Sequence, residues 1–347
     1  MSSATSQPPR RGHICVAGCG HWGKNLARNF FNLGHLYAIC ESDPGRRQSF
    51  SELYPAAKAY SGLEEALADP DLDALVLATP AEEHCRMALG ALRAGKDVFV
   101  EKPLALDWQE GAEMVRTARQ CSRILMVGHL LRYHPAVLKV QELVAGPAFG
   151  KIEYIYSNRL SMGKIRREEN ALWSFAPHDI SVILALMGRL PIQVVATGGA
   201  YLQPNIADVT VSHLLFDQGA RAHIFVSWLH PYKEQRLVVI GSGQMAVFED
   251  SRPDNKLILY DKRIEWKNGV IEGAKSQGLP VTFDPEEPLR RECQHFIDCI
   301  TQRREPLTTG DEGVRVLQVL QACQRSLQMN GEPVQVDATA VQNLLRL

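Results

Sequence analysis

Residues 13–41 read HICVAGCGHWGKNLARNFFNLGHLYAICE. An apolar run, Ile14–Ala17, leads into Gly18-Cys19-Gly20-His21-Trp22-Gly23, a G-x-G-x-x-G directly after a candidate strand. Lys24–Phe31 then reads as a helix, and a second apolar run, Leu36–Cys40, ends on Glu41. Each part has a task in binding a dinucleotide. Gly18 turns the chain out of the strand, and Gly20 has no side chain to keep a pyrophosphate off the backbone. Gly23 lets the helix pack close to the strand, and the N–H groups at the helix start face the phosphates. His21 and Trp22 lie within the same loop and count with it. Glu41 stands where a carboxylate closing the second strand can bond the adenosine ribose. A carboxylate there repels a 2′-phosphate, so NAD is the expected cofactor rather than NADP. Arg46 and Arg47 cut the other way. They read as a solvated first helical turn after Asp43-Pro44, or as cations stacking on adenine. The bland alternative is a glycine-rich turn with no ligand, but the strand–turn–helix–strand context and the acid argue against it.

The 347 residues are enough for two domains, each with its own core. A 45% apolar and 22% charged composition is ordinary for a globular chain, and a net charge of −1 gives no reason to expect a nucleic-acid or membrane partner. No apolar run approaches the ~18 residues of a membrane span. Residues 1–12, with two prolines and no hydrophobic signal core, read as a disordered tail. The eight cysteines form no C-x-x-C and sit among apolar neighbours, which suits reduced thiols and a cytoplasmic location. The eleven histidines show no H-E-x-x-H, and no metal site is expected.

Strand and helix patterns alternate from Ile14 to Val127. The strands are expected at Ile14–Ala17, Leu36–Cys40, Ala57–Tyr60, Leu72–Ala78, Asp97–Val100 and Arg123–Val127. This predicts an α/β, Rossmann-type parallel sheet over residues 13–128, with ligands at the carboxyl ends of its strands. Thr79-Pro80 and Glu101-Lys102-Pro103 fall at such ends. From 129 to 347 the pattern changes to long alternating runs between turn signals, which predicts an α+β domain with a large, mostly antiparallel, open-faced sheet. The closing helices, Glu287–Ile300 and Glu312–Met329, are free to pack back on the first domain. The sheet has too few helices to cover both faces, so a homodimer or homotetramer is expected.

Glu101-Lys102-Pro103 at the end of a Rossmann strand resembles the E-K-P motif of the Gfo/Idh/MocA oxidoreductases. Ala78-Thr79-Pro80 with His84, Phe149-Gly150-Lys151-Ile152, and Pro177-His178-Asp179-Ile180 at the expected opening of a helix are similar to further family pieces. Gly20-His21-Trp22-Gly23-Lys24-Asn25, with Asn170 and Trp173 ahead of Pro177, looks like a branch associated with sugars of surface polysaccharides. The resemblance implies NAD-dependent oxidation of a C–OH, with Lys102 donating to the reacting oxygen and His178 as general base. Thr79, Pro80, His84, Glu101 and Lys102 would then line the cofactor. Lys102 and His178 come from different domains, so the active site is expected between them. Many members carry an Asp four residues before the histidine, where this chain has Ser174. Asp179 or Asn170 would have to orient the base instead.

Arg132 and Tyr133 follow the sixth strand and are candidates for the substrate side. Arg159, Lys164, Arg166 and Arg167 form a basic stretch suited to the diphosphate of a nucleotide-activated sugar. Asn170, Trp173, His178 and Asp179 complete the expected substrate set. The primary reading is oxidation of a ring hydroxyl, such as that on C3, of a nucleotide-linked amino sugar or its uronate. An inositol-type polyol dehydrogenase is the alternative, and an NAD-binding regulator without chemistry is a third.

Overall fold

The computed structural model describes residues 11–163, 165–274 and 276–337. Most of the expected disordered tail, and Lys164 of the basic stretch, lie outside them. Two compact units emerge. The first runs to Gly128 and takes up Leu289–Val314; the second holds His129–Pro288 and resumes at Arg315.

The first unit follows the alternation in the sequence. It contains β1 (Ile14–Ala17), α1 (Gly23–Asn32), β2 (Leu36–Cys40), α2 (Pro44–Leu53), β3 (Lys58–Tyr60) and α3 (Leu63–Leu67). There follow β4 (Ala74–Leu77), α4 (Ala81–Arg93), β5 (Asp97–Glu101), α5 (Trp108–Gln120) and β6 (Leu125–Gly128). The sheet is all parallel, in the order β3-β2-β1-β4-β5-β6. The order reverses between β1 and β4, and that switch point opens the ligand crevice of such a fold. β1, β4 and β5 are buried along their whole length; β1 and β4 are accordingly continuous apolar runs, and β5 holds Val98, Phe99 and Val100 between buried Asp97 and Glu101.

The second unit begins with a 3₁₀ turn at Leu130–Tyr133, then α6 (Pro135–Ala145), β7 (Ile152–Leu160) and α7 (Ala171–Met187). It continues through β8 (Gln193–Gly199), β9 (Val209–Leu215), β10 (Arg221–Ser227), β11 (Glu234–Gly241), β12 (Gln244–Glu249) and β13 (Leu257–Asp261). A hairpin of β14 (Arg263–Lys267) and β15 (Val270–Ala274) precedes β16 (Leu279–Pro280). The chain closes with α8 (Pro288–Gln302), α9 (Gly310–Gln328) and β17 (Val334–Gln335).

Nine strands form one sheet in the order β16-β13-β12-β11-β7-β10-β9-β8-β17. Every pair is antiparallel except β7 with β10, which is parallel. The inward residues Ile155, Leu214, Ala222, Ile224, Val226 and Val239 share a core with Ile180 and Ile183 of α7 and Val319 and Leu320 of α9. α8 belongs with the first unit. Its Phe296 lies 5.7 Å from the ring of Phe99 on β5 and 6.5 Å from that of Phe30 on α1.

One helix boundary differs from expectation by more than two residues. Pro177-His178 was expected to open a helix, but α7 starts at Ala171 and carries Pro177 inside it. Asn170 supplies the cap, its side chain accepting the N–H of Trp173 at 3.1 Å. Proline's missing donor and fixed φ usually mark a boundary. Here the helix runs past it, with Ala176, Pro177 and Ile180 all buried.

Candidate active site

In the first unit the glycine loop is built as its sequence requires. Gly18 has a φ of +88°, and a Cβ on Gly23 would stand 1.8 Å from the carbonyl oxygen of Gly18. A Cβ on Gly20 would meet nothing within 4 Å, so that side of the loop is open. The loop leads into α1, whose first N–H groups form the anion-binding end of a helix. A cleft of about 610 Å³ is lined by Gly18, Gly20, Glu41, Arg46, Thr79 and Pro80, among others. These residues fit a dinucleotide: open backbone for the pyrophosphate and an acid for the ribose. His21 is exposed at the loop tip.

Glu41 is 5% exposed and accepts the backbone N–H of Cys19 at 2.8 Å and of Asp43 at 2.9 Å. Arg46 adds an ion pair at 3.2 Å. Burial works to raise the Glu41 pKa, but the N–H groups of Asp43 and Cys19 and the Arg46 guanidinium outweigh it, and the carboxyl lies below its usual value. Arg47 is engaged elsewhere, donating to the carbonyls of Glu41 at 2.7 Å and Ser42 at 3.2 Å.

Trp22 donates its indole N–H to Glu101, tying the glycine loop to the end of β5. The other Glu101 oxygen accepts the backbone N–H of Lys102 at 3.3 Å. Burial pushes the Glu101 carboxyl up to about 7, against the Trp22 bond and the Lys102 charge. The Lys102–Pro103 peptide is cis. His84, 1% exposed, faces the carbonyl of Pro103 with Nδ1 at 2.8 Å and that of Thr79 with Nε2 at 3.0 Å. Burial lowers its pKa against the pull of both carbonyls. A neutral ring has one N–H and donates to one carbonyl at a time. His84 stands between the turns that follow β4 and β5 and is tied to one of them at a time.

Sequence reasoning passed over Glu292. It lies on α8, fully buried, one turn before Phe296. Among the described residues neither carboxyl oxygen has a hydrogen-bond partner. Burial first, and the charge of Glu101 second, hold its pKa far above the usual carboxylate range. An acid on the apolar face of a predicted helix was the available signal.

In the second unit His178 is half-buried and Ser174 is buried one turn before it, on the same face of α7. The two candidates for orienting the base are engaged elsewhere. Asp179 accepts from Ser157 at 2.6 Å and pairs with Arg159 at 2.9 Å. Asn170 caps α7 and donates to Gln324 at 2.8 Å, and Trp173 donates to the same oxygen at 3.1 Å. Arg132 and Tyr133 are buried, at 7% and 2% exposure. Two of the four residues of the expected basic stretch are matched internally. Arg159 lies in β7 and serves Asp179, and Arg166 pairs with Glu169 at 3.1 Å. Beyond β7 the loop exposes Met162, Ile165 and Arg167.

Fold and site define an NAD-dependent oxidoreductase with a Rossmann domain. A family described as "Oxidoreductase family, NAD-binding Rossmann fold" matches residues 13–129, and the GFO/IDH/MocA C-terminal domain matches residues 137–247. The chain belongs to the Gfo/Idh/MocA family. It is 26% identical over 304 residues to a UDP-N-acetylglucosamine 3-dehydrogenase of Acidithiobacillus ferrooxidans, covering 87% of this chain and 93% of that protein. It is also 26% identical over 340 residues to a scyllo-inositol 2-dehydrogenase (NAD(+)) of Bacillus subtilis, covering 93% and 95%. A solved structure of the Acidithiobacillus ferrooxidans enzyme GnnA superposes with a TM-score of 0.82 at 23% identity, covering 91% of this chain and 97% of that one. No helix among the described residues is long and apolar enough to cross a membrane.

Proposed function

We propose that this protein oxidises a ring hydroxyl, such as that on C3, of a UDP-linked amino sugar or its uronate. The reading rests on the similarity to a UDP-N-acetylglucosamine 3-dehydrogenase over most of both chains. The loop after β7 supports it, because exposed Met162, Ile165 and Arg167 suit a ligand that is part nucleobase and part diphosphate.

NAD, when bound, supplies the two-electron acceptor. Lys102 donates to the reacting oxygen and stabilises the charge that develops on it. His178 takes the hydroxyl proton, since an imidazole titrates nearest working pH. Glu101 keeps a carboxyl beside Lys102, and His84 stands between the two turns. His178 needs no carboxylate at position 174 in this reading.

A second reading, a polyol dehydrogenase of the inositol type, draws on the equal identity to scyllo-inositol 2-dehydrogenase. It draws also on the pairing of Arg159 and Arg166, which leaves less charge for a diphosphate. The two separate in one assay. The protein is mixed with NAD and a panel of UDP-sugars, free sugars and inositols, and NADH absorbance is followed. UDP-N-acetylglucosamine or its uronate is expected to give the highest kcat/KM. Faster turnover of an inositol overturns the first reading.

A further inference from the structure

Glu41, the acid that would bind the ribose, is already crowded. A carboxylate offers about four lone-pair sites. Cys19 N–H takes one on Oε2, and Asp43 N–H and Arg46 Nη2 take two on Oε1. A ribose brings two hydroxyls to the one site that remains.

The two backbone donors cannot leave. Cys19 is inside the glycine loop, and Asp43 is the cap of α2, its own side chain accepting the N–H of Arg46 at 2.7 Å. Arg46 can leave. Its side chain is 57% exposed, and Glu41 is the one hydrogen-bond partner of its guanidinium among the described residues. Arg47 is a poor candidate for the same movement, because its guanidinium staples the turn through two carbonyls. Arg46, Glu41, Ser42, Ser61 and Gly62 all line the cleft.

We propose that Arg46 is a partner-switching specificity residue: it gives up Glu41 when an adenosine ribose binds, and its freed guanidinium is what a 2′-phosphate on that ribose meets. The ion pair then competes with NAD in the cofactor-free protein. A 2′-phosphorylated ribose exchanges repulsion by Glu41 for pairing with Arg46, so NADP is disfavoured without being excluded. Arg46, and not Glu41 alone, sets the width of the preference.

The test is the dissociation constants of NAD and NADP, by calorimetry, without any sugar. The unmodified protein is expected to favour NAD, and Glu41→Ala to narrow the gap. Arg46→Ala is expected to tighten NAD about two- to fivefold, what an exposed ion pair is worth. It should weaken NADP roughly ten- to hundredfold, the loss of a charge-assisted bond to phosphate. Arg46→Lys keeps the charge without the fork and should recover part of the NADP affinity. Equal weakening of both cofactors by Arg46→Ala would mean that the side chain stacks on adenine, and no change that it is merely solvated. Either result overturns the proposal. Because the readout is cofactor binding, its failure leaves the sugar assignment untouched.

Discussion

Arg159 and Asp179 form an ion pair of 2.9 Å inside the second unit, their side chains 12% and 2% exposed. A second contact of 3.2 Å makes the pair bidentate, and Ser157 donates to the same carboxylate. Arg159→Ala leaves a buried carboxylate with too few partners and should cost about 3–5 kcal/mol of unfolding free energy. Replacing both residues by apolar ones of similar volume should cost far less. Urea denaturation of the two single variants and the double variant closes the cycle. A single-variant loss under about 1 kcal/mol would mean that the pair is weak.

The bond from Trp22 to Glu101 makes a pH-dependent prediction. The Glu101 pKa rises on folding from an ordinary 4.5 to about 7. The folded state therefore keeps a proton that the unfolded state releases, and this group's contribution to stability falls as pH rises from about 5 to 7, then levels. The indole N–H favours the ionised form and opposes that fall. Trp22→Phe should cost little at about pH 6 and about 1–3 kcal/mol at about pH 8, measured by urea unfolding. The same loss at both values would show that the bond does not depend on the charge of Glu101.

The nine-stranded sheet makes a prediction about assembly. Tyr154, Tyr156, His213, His223 and Phe225 alternate with the residues that form the helix-covered core, so they stand on its other face. His223 stacks on Tyr156 at 5.3 Å, and its pKa is lowered by burial and by His213. An aromatic, half-buried face of this extent is costly to leave in water. A homodimer or homotetramer is expected, and Phe225→Glu should shift it towards monomer. Light scattering at micromolar concentration checks both, and a monomeric unmodified protein would refute the expectation.

What the sequence disclosed, and what it hid, follows from where the signals are local. β1 and β2 match their apolar runs residue for residue; β1 is buried throughout, and a strand buried on both faces leaves a continuous apolar signature. Helix α7 was misplaced at its start because Pro177 gave a strong local stop signal. The quieter cap at Asn170 won, supported by burial along the whole helix. Arg159 read as part of a basic stretch suited to a diphosphate, since nothing near it in sequence announces Asp179, twenty residues on in the chain. Glu292 was hidden for the same reason. Its significance comes from Glu101, 191 residues earlier in the chain, which α8 brings into electrostatic range. The glycine loop and Glu41 were legible because their chemistry lies within one short strand–helix–strand unit.

The last prediction concerns Lys102 and His178, which the proposed reaction assigns to one oxygen and its proton. Lys102→Ala removes a donor to the developing charge and should lower turnover by ~10²–10³. His178→Ala removes the proton acceptor and should lower it by ~10²–10⁴. Neither residue belongs to the glycine loop, so NAD affinity should change little in either variant. The combined loss should be less than the product of the two, because both act on the same step. Ser174 extends the test. It lies one turn before His178 on the same face of α7, so Ser174→Asp brings a carboxylate towards the imidazole. A neighbouring carboxylate favours the protonated ring, and the acid limb of the pH–rate profile should move to higher pH with only a modest change in maximal turnover. If His178→Ala retained nearly full turnover on the true substrate, the proton would have another acceptor. Tyr133 and His134, buried at the start of the second unit, would be the next residues to replace.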